Sequence, residues 1–283
     1  IPIYVPLDSA DVWSAPEQFL LNEEYEPIEV AGCPPDGFSA DGQLWGNPLY
    51  RWDAMKEDGY RWWIDRFRAS AALYDIIRID HFRGFEGYYA IPGGAATARE
   101  GVWRQGPGIE LFHAVRAALG ELPIIAEDLG FLTEGVHRLR EDCGFPGMKV
   151  LQFAFDSRED SDYLPHNYPR HCVVYTGTHD NDTILGWLST AAPQDARFAW
   201  EYLRLTEAEG ANWGMMCGAL QSPGDTVILT MQDLLGLGSE ARMNIPSTLG
   251  CNWKWRAAPG SITDELADRL HHVTELYRRL PPR

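Results

Sequence analysis

The chain has 283 residues, 45% of them hydrophobic, enough apolar material for one barrel-sized domain or two small ones, which excludes a disordered or fibrous protein. Its net charge of −17 argues against nucleic acid and against an anionic membrane surface as partners, since Arg66, Arg68, Arg78 and Arg83 are interleaved with acids and aromatics and form no compensating basic stripe. Five widely spaced cysteines without a CxxC pair argue against a disulfide framework or a zinc knuckle and fit a reducing cytoplasm, and no apolar stretch reaches the roughly 20 residues of a spanning helix.

In chain order, IPIYVP opens the sequence without a methionine and reads as the inside of a strand, so a fragment is expected. A Pro- and Gly-rich segment over 31–52 follows, with Phe38, Trp45 and Tyr50, too long for a simple connector and therefore a candidate functional loop. A helix is expected from Asp53 to about Tyr74, with Trp63, Ile64, Phe67 and Ala71 on one face. The strand DIIRID ends at Asp80, and a second long insertion covers about 81–107. GIELFHAVRAALG predicts an amphipathic helix from Gly108 to Gly120, with Leu111, Val115, Ala118 and Leu119 inward. Next come a strand ending at Glu127, a helix over 134–141, a strand over 148–155 and a strand running through VVYTGTHD to Asp180. Helices over 194–209 and 212–221, a strand in TVILTMQDLLG and a C-terminal helix over 263–280 complete the pattern.

Six strands alternate with helices, which means an α/β fold with a parallel sheet: a doubly wound sheet, or an eight-stranded barrel without its first two strands. Three of the apolar runs end on a carboxylate, at Asp80, Glu127 and Asp180, 47 and 53 residues apart. Each gap holds a strand, a crossover helix and a loop, so one sheet is expected to carry all three acids at the strand ends where α/β enzymes build active sites. The alternative for each acid is a helix N-cap.

Two or three convergent carboxylates, with no GxSxG, point to glycosyl chemistry, in which one acid attacks carbon and another donates a proton. The retaining version needs the two carboxyl groups about 5 to 5.5 Å apart, which neighbouring strand ends can supply. Arg78 lies two residues before Asp80, on the same side of the strand, and favours the ionised form a nucleophile needs. Glu127 follows an apolar run and precedes Asp128, a setting that raises a carboxyl pKa and keeps a proton available. Asp128 faces the other way and is expected to bind a neighbouring loop or cap the next helix. His81 and His179 each adjoin an acid, but isolated His-Asp pairs without a third histidine do not make a metal site, so hydrogen bonds to sugar hydroxyls are expected and neither metal nor cofactor is. Eleven tryptophans suit a carbohydrate binder and suit a core equally well.

GQLWGNPLYRW, RIDHFRGFEGYYAIP, IIAEDLG, YTGTHDNDT and LGLGSEARMN together resemble the 4-α-glucanotransferases of the amylomaltase (disproportionating enzyme) family, in the α-amylase superfamily, over essentially the whole chain. The resemblance implies an incomplete (β/α)8 TIM barrel over residues 1–283, about strands three to eight, with loop insertions at 31–52 and 81–107 and without the first two strands and early subdomains. It implies that Asp80 is the nucleophile, Glu127 the general acid/base and Asp180 the residue that distorts and grips the reacting sugar, supported by Arg78 and His179. Asp36, Phe38 and Trp45 fall on the family's loop over the acceptor side, and Asn244 on an opposing loop, where Ser247 replaces the family's usual glycine. The implied substrates are maltooligosaccharides or other α-1,4-glucans, in the cytoplasm. The rivals are an α-glucan hydrolase with the same triad and a non-catalytic glucan-binding remnant.

Overall fold

A computed structural model describes residues 1–35, 39–130, 132–158, 160–246 and 248–280. The chain forms two compact units, Ile1–Gly147 and Met148–Arg283. Both mix helix and strand, as the sequence predicts.

The first unit runs α1 (Ala10–Ser14), β1 (Glu29–Cys33), β2 (Gln43–Pro48), α2 (Trp52–Glu57), α3 (Arg61–Leu73), β3 (Ile77–Ile79), β4 (Gly87–Pro92), β5 (Val102–Gln105), α4 (Ile109–Leu119), β6 (Ile124–Ala126) and α5 (Glu134–Cys143). β3 and β6 pair in parallel, Ile77 with Ile124 and Ile79 with Ala126, and their apolar residues are buried because helices cover such strands on both faces. The opening residues are not a strand. The Ile1 amine donates to the Arg78 carbonyl (2.6 Å) and the Asp80 N–H to the Ile1 carbonyl (2.8 Å), two bonds that tie the segment to β3 without extending a ladder.

The two insertions are not independent loops: β1 and β2 from one pair with β4 and β5 around the other, giving an antiparallel sheet in the order β2-β1-β4-β5. The expected helix over 53–74 is two helices. Gly59 (φ 74°) and Tyr60 (φ 60°) turn the chain left-handed, and the Asp58 carboxylate receives the Arg61 N–H (3.1 Å) at the start of α3. α4 keeps its expected bounds, but Leu111, Phe112 and Val115 are its buried residues while Ala118 is exposed. The core is aromatic: Trp63 stands edge-on to Phe85 (5.1 Å), and Phe82, Phe85, Phe112 and Phe145 interlock beyond it.

The second unit holds β7 (Gly147–Val150), β8 (Cys172–Tyr175), α6 (Ile184–Thr190), α7 (Pro193–Tyr202), α8 (Ala211–Leu220), β9 (Thr226–Ile228), α9 (Met231–Leu234) and α10 (Asp264–Leu276). β8 is the middle strand between β7 and β9 and runs parallel to β9. The strand expected over 148–155 stops at Val150 and tightens into a 3-10 turn over Leu151–Ala154. α6 was not expected, and α7 and α10 are shorter than their patterns. α8 is buried from Asn212 to Leu220, as befits a helix apolar on all sides.

Among the described residues, β3 and β6 pair in the first unit, and β7, β8 and β9 bond in that order in the second.

Candidate active site

Asp80 and Glu127 each stand one residue past the end of their strand, and the parallel register that pairs Ile79 with Ala126 brings them level. Neighbouring parallel strands are about 4.8 Å apart, so the two carboxylates leave adjacent strand ends on the same side. The Glu127 N–H donates to the Ile79 carbonyl (2.9 Å), and Phe82 N–H donates to the Glu127 carbonyl (2.9 Å), which carries the register through the acids themselves.

Their surroundings differ. Asp80 keeps 47% of its side chain exposed and accepts a charge-assisted hydrogen bond from Arg78 Nη1 at 2.7 Å, as the alternation along β3 predicts. Glu127 is held at both oxygens: Oε2 accepts the His81 N–H (2.7 Å) and Oε1 the Leu129 N–H (2.8 Å). Burial pushes its pKa up, with a contribution from the Asp80 charge, against the two backbone N–H groups and Arg78, which favour the ionised form. One acid is therefore half exposed and paired with a cation, while its neighbour is more withdrawn from water and inclined to keep a proton. That division is what nucleophile and proton donor require of two otherwise similar groups.

Sequence reasoning gave His81 no structural part, yet its backbone fixes Glu127. His81 sits at φ 53°, a left-handed conformation uncommon for a residue with a side chain, and this turn aims its N–H at Glu127. A backbone donor leaves no mark on the sequence. The ring packs edge-on against Trp45 (4.8 Å), and burial, reinforced by Arg83 and opposed by Asp80, pushes its pKa down to about 4. A histidine whose folded pKa lies below its unfolded value near 6.5 stabilises the fold fully above that value and loses this contribution as pH falls toward 4. The loss is on the order of 3 kcal/mol. His81→Asn, which tolerates the left-handed turn, is expected to narrow the fall in urea midpoint between pH 7 and pH 4.5; equal falls in both proteins would remove His81 as the cause.

Asp128 faces away from Glu127, as expected. It is buried and pairs with Arg140 of α5 (3.2 Å), while Thr133 rather than Asp128 caps that helix. None of the three candidate acids caps a helix: Thr133 and Thr183 supply the side-chain caps of α5 and α6.

In the second unit, Asp180 lies five residues beyond β8, on a loop and not at a strand end. The sequence reads TGTHD as a continuation of the strand, but Asn181 Oδ1 receives both the Thr178 N–H (2.8 Å) and the Thr178 hydroxyl (2.9 Å), turning the backbone out of the ladder. Asn244 Nδ2 donates to Asp180 Oδ1 (2.5 Å), and His179 Nε2 stands 3.4 Å from Oδ2. The predicted residues His179 and Asn244 therefore do converge on Asp180. Two more residues join them that no sequence pattern singles out. Arg242 donates to the Asp180 carbonyl (2.6 Å) and to the Asn244 carbonyl (2.8 Å), and Trp253 packs on the His179 ring (5.1 Å). Their only sequence signals are a cation two residues before Asn244 and the aromatic pair in NWKW.

The expected loop residue Trp45 lies on β2, while Asp36 and Phe38, like Ser247, fall outside the described residues. Most tryptophans near the first unit's core, Trp52, Trp62 and Trp63, pack on one another, so the abundance of tryptophan there is core packing; Trp45 and Trp253 are the ones beside candidate site residues. No helix is long and apolar enough to cross a membrane among the described residues.

The family model for 4-alpha-glucanotransferase matches residues 1–262. The 4-alpha-glucanotransferase of Clostridium butyricum is 52% identical over 281 residues, covering 99% of this chain and 58% of that protein. That of Streptococcus pneumoniae (strain TIGR4) is 50% identical over 281 residues, covering 99% of this chain and 56% of the other. Among solved structures, amylomaltase from Streptococcus agalactiae in complex with acarbose superposes with a TM-score of 0.96 at 42% identity, over 99% of this chain and 57% of that one. The chain thus spans little more than half the length of these relatives. By the reach of the family model and the identity to these relatives, the chain belongs to the 4-alpha-glucanotransferase family.

Proposed function

We propose that the chain carries the catalytic acids of a retaining 4-α-glucanotransferase, which moves α-1,4-glucan segments between maltooligosaccharides. The observation that carries this reading is the contrast between two level carboxyl groups at the ends of β3 and β6: Asp80 paired with Arg78, and Glu127 half-buried with its pKa raised. Asp80 attacks the anomeric carbon while the bond to the leaving sugar breaks, and Glu127 gives its proton to the departing oxygen. The 4-hydroxyl of an incoming glucan then attacks the glucosyl ester on Asp80, returning its proton to Glu127 and freeing the Asp80 carboxylate. The His81 and Leu129 N–H groups hold the Glu127 carboxyl in place through both steps.

In this reading Asp180 grips and distorts the reacting sugar, oriented by Asn244 and Arg242, with His179 beside it. Arg78, Trp45, Asp36 and Phe38 complete the substrate contacts. β3, β6, β7, β8 and β9, with the Ile1–Pro6 segment bonded beside β3, are taken as the part of a (β/α)8 barrel from about its third to its eighth strand, and the likeness to amylomaltase supports this. Five widely spaced cysteines without a CxxC pair suit a cytoplasmic setting. Whether water or sugar accepts the glucosyl group depends on how far the site excludes water, and the family favours sugar. Incubating the protein that carries this chain with maltotriose is expected to yield longer oligomers and glucose; products that are only shorter would mean hydrolysis.

A further inference from the structure

Residues 177–183 join β8 to α6 without regular structure and carry both His179 and Asp180. One carboxylate holds the residues at both ends of this segment. Asp233, on α9, accepts the Thr176 hydroxyl on Oδ2 (2.8 Å) and the Ile184 N–H on Oδ1 (2.7 Å), and it is 1% exposed. Asp233 is itself anchored, because its carbonyl accepts Asn212 Nδ2 (2.8 Å) from α8. A second tie runs inside the first. The Gln152 N–H reaches the Thr176 carbonyl (3.3 Å) and its Nε2 the Asp182 carbonyl (2.8 Å), while the Ser239 hydroxyl bonds Asp182 Oδ2 (2.7 Å).

Burying a carboxylate costs several kcal/mol unless its oxygens are bonded, and an apolar side chain fills a core site more cheaply. Burial raises the Asp233 pKa, opposed by its bonds from Ile184, Thr176 and Thr230. What an acid supplies here and an apolar residue does not is a pair of acceptors set back to back, one for each end of the loop.

We propose that Asp233 is a positioning residue for Asp180: its carboxylate fixes the separation of Thr176 and Ile184, and so presents His179 and Asp180 in one geometry. The inference rests on the reading of Asp180 as a site residue. It concerns a residue that touches no substrate in that reading.

The amide of Asp233→Asn can still accept the Ile184 N–H, and its NH₂ can donate to Thr176, whose hydroxyl accepts as readily as it donates. In the protein that carries this chain, Asp233→Asn is expected to keep kcat on maltotriose within about threefold, whereas Asp233→Leu loses about 100-fold in kcat with KM little changed, the penalty of a site misplaced by about an ångström. Hydrogen exchange in the folded Asp233→Leu protein should speed up over 177–186 and stay unchanged over 212–220. Should Asp233→Leu not fold, Asp233→Asn combined with Thr176→Val, which removes the Thr176 partner of the amide NH₂, takes its place and is expected to lose about tenfold relative to Asp233→Asn. Wild-type kcat in Asp233→Leu, or in the double variant where it stands in, overturns the proposal. So does Asp233→Asn falling as far as Asp233→Leu. Asp180→Ala separates the two claims: wild-type activity in that variant refutes the functional reading, while local exchange in the Asp233 variants still reports whether the tie exists.

Discussion

Replacing Asp80 by asparagine is expected to lower glucan transfer at least about 10⁴-fold, the scale of removing a nucleophile, while the protein stays folded. The variant keeps nearly everything structural about the position. The side chain is half exposed, the amide oxygen still accepts from Arg78, and the backbone N–H still reaches the Ile1 carbonyl. What is lost is the negative oxygen that forms the ester to the anomeric carbon. Thermal unfolding should therefore be close to wild type, because substitutions at partly exposed sites without a packing role stay within about 0.5 kcal/mol. An Asp80→Asn protein that is folded and still transfers glucan within tenfold of wild type would mean that another group attacks.

Glu127→Gln gives the second large effect, with a different signature. Losing the general acid/base is expected to cost about 10² to 10⁴-fold on maltooligosaccharides. An α-glucosyl fluoride donor needs no proton on its leaving group, so the first step on that donor should be largely spared. The second step stays slow, since no base deprotonates the acceptor, until an anionic nucleophile such as azide replaces it. The wild-type pH profile supplies the sign. Burial raises the Glu127 pKa, so the protonated acid persists to higher pH than an ordinary glutamate allows and is lost as pH rises through the folded value. The alkaline limb of kcat/KM should therefore lie above the usual glutamate range near 4.5 and be absent in Glu127→Gln assayed with the fluoride donor. The variant also faces an NH₂ group toward either His81 N–H or Leu129 N–H, and is expected to unfold about 1 to 2 kcal/mol more easily.

Much of the site is legible in the sequence because its signals are local. DIIRID and PIIAED are short runs that only burial on both faces explains, and β3 and β6 occupy them. Alternation along β3 is enough to place Arg78 beside Asp80, and an apolar run before Glu127 is enough to give the direction of its pKa. Features that depend on partners distant in the chain are not legible. Val30 pairs with Ile91 and Tyr89 with Trp103, so two glycine-rich insertions become one sheet although nothing in either names the other. Gly59 and Tyr60 stop a helix whose apolar spacing continues straight through them. The largest local misreading concerns Asp180, where β-branched TGT looks like strand until Asn181 folds back on Thr178. His81 and Asp233 act through a backbone turn and through buried acceptors, and a sequence records neither directly.

As nucleophile, Asp80 forms a covalent bond to the sugar. Incubating Glu127→Gln with an α-glucosyl fluoride, quenching in acid, digesting and sequencing the peptides by mass spectrometry reads this directly. One added hexose is expected on the peptide that contains Arg78 to His81, located at Asp80. A hexose on Asp180, or inverted product with no labelled peptide, would contradict it.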